Sequence, residues 1–150
     1  MSNFELEGMM KNVQGWKGTV TRDLLPAEID DLALGIINYD SMDGNGTHWV
    51  AYANYPKEEH VIFFDSFGVI PGAEIQHFLK TSGKEIAYST GQIQDMKSIM
   101  CGYYCVYVLK ELSKGRAFED ILSEFDSTPS AKNEKLIKNK FKYCQLRILY

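Results

Sequence analysis

Two β-branched and aromatic runs, THWVAYANY (47–55) and HVIFFDSFG (60–68), stand on either side of a short turn-forming stretch, YPKEE. Runs of this composition, punctuated this closely, form neighbouring antiparallel strands. In a strand, successive side chains alternate faces, so His48 shares a face with Val50 and Tyr52, while Trp49 points the other way. On the second strand the matching face carries Val61, Phe63 and Asp65. A hairpin closed by the four residues Tyr55 to Glu58 would pair Asn54 with Glu59 and set His48 directly across from Asp65. Cross-strand partners lie about 5 Å apart at Cβ, within reach of a carboxylate–imidazole hydrogen bond.

The same punctuation extends outward. DLALGIINY reads as a preceding strand, separated from THWVAYANY by the turn DSMDGNG, and KEIAYST reads as a later one. Between the later strands, PGAEIQHFLKTSG has helical spacing and a glycine near its end. After Cys101 the apolar period changes: Tyr104, Val108 and Leu112 recur at four-residue steps, with Tyr107 and Leu109 beside them, until SKGR stops the run. That is a buried helix. Two more helical stretches follow, AFEDILSEF and SAKNEKLIKNKFKYC, the second expected to open with Thr128 as N-cap and Pro129 at the first helical position. No repeat or Pro/Gly-rich linker divides the 150 residues, so residues 1–150 are expected to form one domain with its own core.

Three cysteines at uneven spacing do not make a disulfide framework, and the start MSNFELEG lacks the form of a secretory signal. A reducing compartment, without secretion, is the expectation. No apolar run reaches the roughly 20 residues of a membrane span. The 16 basic and 20 acidic residues give a net charge of −4, which argues against a nucleic-acid coat protein. The basic stretch KNEKLIKNKFKYCQLR leaves a modest anion-binding patch as the one opening for nucleic acid, although lysines at helical spacing usually form a solvated face.

The stretch QIQDMKSIMCGYYC (92–105) is where chemistry concentrates. A thiol at the start of a helix faces unsatisfied N–H groups and the positive end of the helix dipole, both of which favour thiolate. Gly102 keeps the backbone beside it uncluttered. A protonated His48 would stabilise that thiolate further, and Asp65 would fix the ring's tautomer. Acyl transfer also needs oxyanion donors; the Cys101 backbone N–H is one, and the side-chain amide of Gln94 or of Gln92 is the other. Cys105, one turn on, reads as a core thiol, and Cys144 as structural or incidental. His60 and His77 have no acid at a useful spacing and read as surface residues. A zinc site built from Cys101, Cys105, His48 and Asp65 is disfavoured, because two cysteines one turn apart with no second clustered pair are not a zinc pattern. No cofactor or metal is expected.

The order His, acid, Gln, Cys, with the blocks GTHWVAY, FFDSFG and QIQDMKSIMCGYYC, resembles the adenovirus-type (adenain-like) cysteine endopeptidases, relatives of the ubiquitin-like-protein-specific proteases. The resemblance runs less specifically through GWKGTVTRDLLP and LALGIIN, covering roughly Gly15 to Leu112. His48 and Asp65 are 17 positions apart, and Gln94 and Cys101 are 7 apart, as in the adenovirus enzymes. The resemblance implies Cys101 as nucleophile, His48 as base, Asp65 as orienter and Gln94 in the oxyanion hole. It implies an α+β fold, a mainly antiparallel central sheet packed against the helix that bears the cysteine. Asp65 stands where the adenovirus enzymes carry Glu, and the chain after the nucleophile helix is shorter. The acidic balance speaks against activation by DNA, and no cysteine is assignable to a disulfide-linked activating peptide. The compact chain with DSFG and QIQD looks most like proteases of virophages and large DNA transposons. That implies processing of capsid protein precursors, in the virion or in a host-cell viral factory. An isopeptidase for a ubiquitin-like modifier and a non-catalytic binding module are the alternatives.

Overall fold

The computed structural model describes residues 1–40, 48–95, 98–128 and 131–148, with side chains described as far as residue 141. The chain runs α1 (Asn3–Met10), β1 (Trp16–Thr21), a 3₁₀ turn (Arg22–Leu24), β2 (Ala33–Asn38), β3 (Trp49–Asn54), β4 (His60–Phe64), α2 (Ala73–Lys80), β5 (Glu85–Tyr88), α3 (Cys101–Ser113), α4 (Phe118–Leu122) and α5 (Ala131–Ile148). The five strands form one sheet in the order β1-β2-β3-β4-β5. The three middle strands pair antiparallel, as expected from their short connections. Both outer strands pair parallel, β1 with β2 and β5 with β4. Parallel neighbours need a crossover, and α2 supplies it between β4 and β5.

β2 and β3 are buried along their whole length because both faces of the sheet are covered. Trp49, Ala51, Ala53, Ile62 and Phe64 face a layer built from α1, α3, α4 and α5. Val50, Tyr52, Val61 and Phe63 face the α2 side with Ile75, Phe78 and Leu79. The alternation within β3 and β4 is thus the one that the sequence predicts. α3 is the central helix: ten of its residues are buried, and each large apolar side chain so placed contributes about 1.5–3 kcal/mol. It ends where Gly115, at φ 90°, turns its N–H back onto the Leu112 carbonyl, so the expected stop at SKGR is a left-handed cap.

Two differences from the sequence expectation matter. The β3–β4 ladder pairs Ala51 with Phe64, Tyr52 with Phe63 and Ala53 with Ile62, two residues out of the expected register. Asp65 therefore is not directly opposite His48; extending the ladder puts Phe67 there. A two-residue shift preserves face parity, so Asp65 remains on the His48 face as a diagonal neighbour. The second difference is α1, a short helix not expected from the sequence. Ser2 and Glu5 form a capping box at its start. Glu7 then ties it to β1 by accepting from Trp16 Nε1 at 2.8 Å and from the Thr19 N–H at 2.7 Å. Its anchor is this long-range carboxylate, which no local periodicity announces.

The expected turn at 40–46 lies almost wholly outside the described residues, as does Pro129, and the side chain of Cys144 lies outside them too. Among the described residues no helix is long and apolar enough to cross a membrane.

Candidate active site

β3, β4 and α3 converge at one end of the sheet. His48 immediately precedes β3, Asp65 immediately follows β4, and Cys101 is the first residue of α3. His48 Nε2 lies 2.7 Å from Asp65 Oδ1, and both side chains are largely buried. The same Asp65 oxygen accepts the Phe67 N–H at 2.8 Å, while the Asp65 carbonyl accepts the Gly68 N–H. The carboxylate is therefore locked by its own turn before it meets the ring. The other ring nitrogen, Nδ1, is buried and has no partner at full hydrogen-bond distance among the described residues.

The electrostatics separate the two described cysteines. Burial alone would push the His48 pKa down, but hydrogen bonds to Asp65 and Cys101 and their negative charges raise it to about 9. Burial alone would push the Cys101 thiol up; His48, the Trp49 and Gly102 backbone groups and the His48 charge outweigh it, and the pKa falls below its usual value. Both shifts favour the imidazolium–thiolate form of the pair. Cys105 is pushed well above the usual thiol range, first by complete burial, then by the charges of Cys101 and Asp65. Its thiol donates to the Trp49 carbonyl at 3.3 Å, inside the core. His60 and His77 are exposed on the surface.

Gln94 is fully buried, and its amide is oriented from two sides. The Ser66 hydroxyl donates to Gln94 Oε1, and Gln94 Nε2 donates to the Ser98 carbonyl at 3.0 Å. The second hydrogen of that amide has no acceptor among the described residues. Gln92, half-buried on the same loop, donates from Nε2 to the Gln94 carbonyl at 3.0 Å. Ser66 also receives the Ile93 and Gln94 N–H groups on its carbonyl. The FFDSFG turn and the QIQ loop are thus one stitched unit. Asn133 on α5 reinforces it, donating to the Ile93 carbonyl at 3.0 Å.

Ser66 and Phe67 are the site-shaping residues that sequence reasoning passed over. Both sit inside a quoted block, but a serine and a phenylalanine in a turn carry no chemical signature of their own. Gly102 has a reason beyond the one expected: a Cβ there would come within 2.7 Å of Met1 Sδ and 3.4 Å of a Leu6 methyl, so α1 occupies the space it leaves.

No family model matches the chain. A protease of bovine adenovirus 2 is 29% identical over 93 residues, an alignment covering 53% of this chain and 45% of the relative. Among solved structures, the ASFV protease superposes with a TM-score of 0.63 at 13% identity over 91% of this chain and 65% of that one. The SUMO protease Ulp1 superposes with a TM-score of 0.55 at 16% identity over 89% of this chain and 71% of that one. The fold is that of the ASFV protease and the SUMO protease Ulp1. The chain spans about half the length of the curated relative it matches.

Proposed function

We propose that this chain is a cysteine-type endopeptidase. The observation that carries the proposal is the placement of His48 between an Asp65 carboxylate at 2.7 Å and a Cys101 whose thiol pKa is lowered at the start of α3. The Cys101 thiolate attacks the scissile carbonyl carbon, forming a C–S bond as the carbonyl oxygen takes the negative charge. The Cys101 backbone N–H and the remaining Gln94 amide N–H receive that oxyanion. His48 gives its proton to the leaving nitrogen as the C–N bond breaks, which leaves a thioester on Cys101. Water then attacks the thioester, losing a proton to His48, and the acid departs as the thiolate returns. Asp65 holds the imidazole in one tautomer and balances its charge in both halves of the cycle.

The substrate class is polypeptide, and the reading that fits the adenovirus relative is maturation of capsid protein precursors within a virion or viral factory. The test is incubation of the native chain and Cys101→Ala with candidate capsid precursors and, in parallel, with conjugates of a ubiquitin-like modifier. Cleavage of the precursors by the native chain alone supports maturation. Cleavage restricted to the conjugates replaces it with isopeptidase activity, and no Cys101-dependent cleavage of either overturns the endopeptidase.

A further inference from the structure

The Phe67 ring lies on the His48 imidazole with centroids 4.5 Å apart and planes 20° from parallel. Phe67 is also the residue whose N–H holds the Asp65 oxygen that meets His48 Nε2. One residue thus grips the imidazole twice, through its ring face and through the carboxylate on the ring's edge. The turn after β4, closed by the Gly68 N–H on the Asp65 carbonyl, is what brings the Phe67 ring to His48. We infer that Phe67 is a positioning residue whose aromatic face stabilises the charged imidazole and fixes the plane from which it meets the Cys101 thiol. The inference rests on the thiol-protease function proposed for the site.

The physical basis is the negative face of the aromatic quadrupole, which favours a cation stacked on it over a neutral ring. Stacking also leaves the imidazole a single rotational setting, whereas Asp65 alone would still let it rock about the Nε2 contact. Among the described residues the titratable side chains that act on the ring are Asp65 and Cys101. Tyr39, with its ring centroid 6.2 Å from the imidazole, has its hydroxyl occupied by the Gly72 N–H at 2.8 Å. The stacked face is therefore the non-ionic contribution most directly removable by substitution. An aliphatic residue at position 67 keeps the backbone N–H on Asp65 and fills similar space, but offers no π face.

The test is the rate of Cys101 alkylation by iodoacetamide against pH, followed by mass spectrometry of the intact chain, in native protein, Phe67→Leu and Phe67→Tyr. Loss of the face lowers the imidazole pKa and raises that of the thiol. The acid limb for Phe67→Leu should move up by about 0.5–1 unit, cutting the rate on that limb three- to tenfold. Phe67→Tyr, which restores the ring, should return the native profile within about twofold. Phe67→Met provides the same comparison should Phe67→Leu fail to fold. A depressed native profile left unmoved by loss of the ring overturns this inference alone, as does an equal shift in the tyrosine variant. A native Cys101 that already titrates as an unpaired thiol overturns the thiol-protease function and this inference with it.

Discussion

The Ser66 hydroxyl donates to the carbonyl oxygen of the Gln94 side chain, and both residues are completely buried. An amide held this way cannot flip, because its nitrogen is engaged by the Ser98 carbonyl on the other side. Ser66→Ala removes one restraint and strands a buried acceptor, a loss of about 1–3 kcal/mol. Turnover should fall with little change in KM, because the amide is needed when charge develops on the substrate oxygen. Gln94→Ala should cost about 10²–10³ in kcat. In the Gln94→Ala background, Ser66→Ala should add almost nothing to the loss of turnover. Full additivity of the two losses would show that Ser66 does not act through Gln94.

Cys101→Ala is expected to abolish cleavage, lowering kcat by at least about a thousandfold, while leaving the melting temperature close to native. Cys105→Ala should retain activity and lose about 1 kcal/mol of stability, since it removes one buried sulfur and a hydrogen bond to the Trp49 carbonyl. Peptide mapping after labelling with a thiol reagent at neutral pH should place the label on Cys101. Preferential labelling of Cys105 would reverse the assignment.

Asp65→Asn keeps the shape of the turn but removes the charge opposite His48. A loss of about 10²–10⁴ in kcat is expected, by analogy with other orienting carboxylates. The alkaline limit of activity, set by deprotonation of an imidazole raised to about 9, should move toward lower pH. A pH–rate profile measures both effects, and an unmoved alkaline limb would remove Asp65 from that role.

The pair also makes a prediction for stability against pH. His48 is raised in the folded state, so its contribution is complete below 6.5 and disappears as pH rises through about 9. Cys101 is lowered from 9.0, so its contribution is complete above 9.0 and disappears as pH falls through its folded value. From about 9 down to the folded value of Cys101 these slopes oppose each other, because the folded pair carries one proton on the imidazole while the unfolded pair, above 6.5, carries one on the sulfur. The melting temperature difference between native protein and the His48→Ala/Cys101→Ala double variant should be flat over the part of the 6.5–9 range that lies above that folded value. A steady decline from 6.5 to 9 would mean that the thiol is not ionised in the folded state.

Gly68 closes the turn that carries Asp65, at φ 71°, with the position of a Cβ only 2.7 Å from the Thr90 carbonyl oxygen. The obstruction is backbone, so it cannot swing aside. Gly68→Ala is expected to cost more than about 2 kcal/mol, combining left-handed strain with the displaced loop. Activity should fall further than stability alone explains, because the Ser66 contacts to the Gln94 loop depend on the same approach. Denaturant unfolding and kcat/KM on one preparation would compare the two.

Strands β2 to β5 and the buried helix beginning at Cys101 were legible from residue order, because period-two and four-residue apolar spacing are local properties; β1 was not, and the likeness to the adenain-like proteases lay in the motif blocks rather than in any periodicity. The face of the sheet on which Asp65 lies was determined locally too, since parity survives a two-residue slip. Register was not, because the hairpin turn tolerates more than one pairing and packing against α3 and α2 selects among them. The same applies to α1, whose Glu7 is anchored on β1, beyond its own helix, and to the parallel outer strands. The placement of Ser66, Phe67, Gln92 and Gln94 depends on a turn and a loop, 28 residues apart from Ser66 to Gln94, meeting through backbone hydrogen bonds. The sequence by itself determined which chemical groups this protein has and which face they share. Only the tertiary structure decided which nitrogen of His48 meets Asp65, which glutamine is held against Ser66, and which aromatic ring covers the imidazole. Those choices rest on contacts between distant segments, whose energies no single stretch of sequence contains.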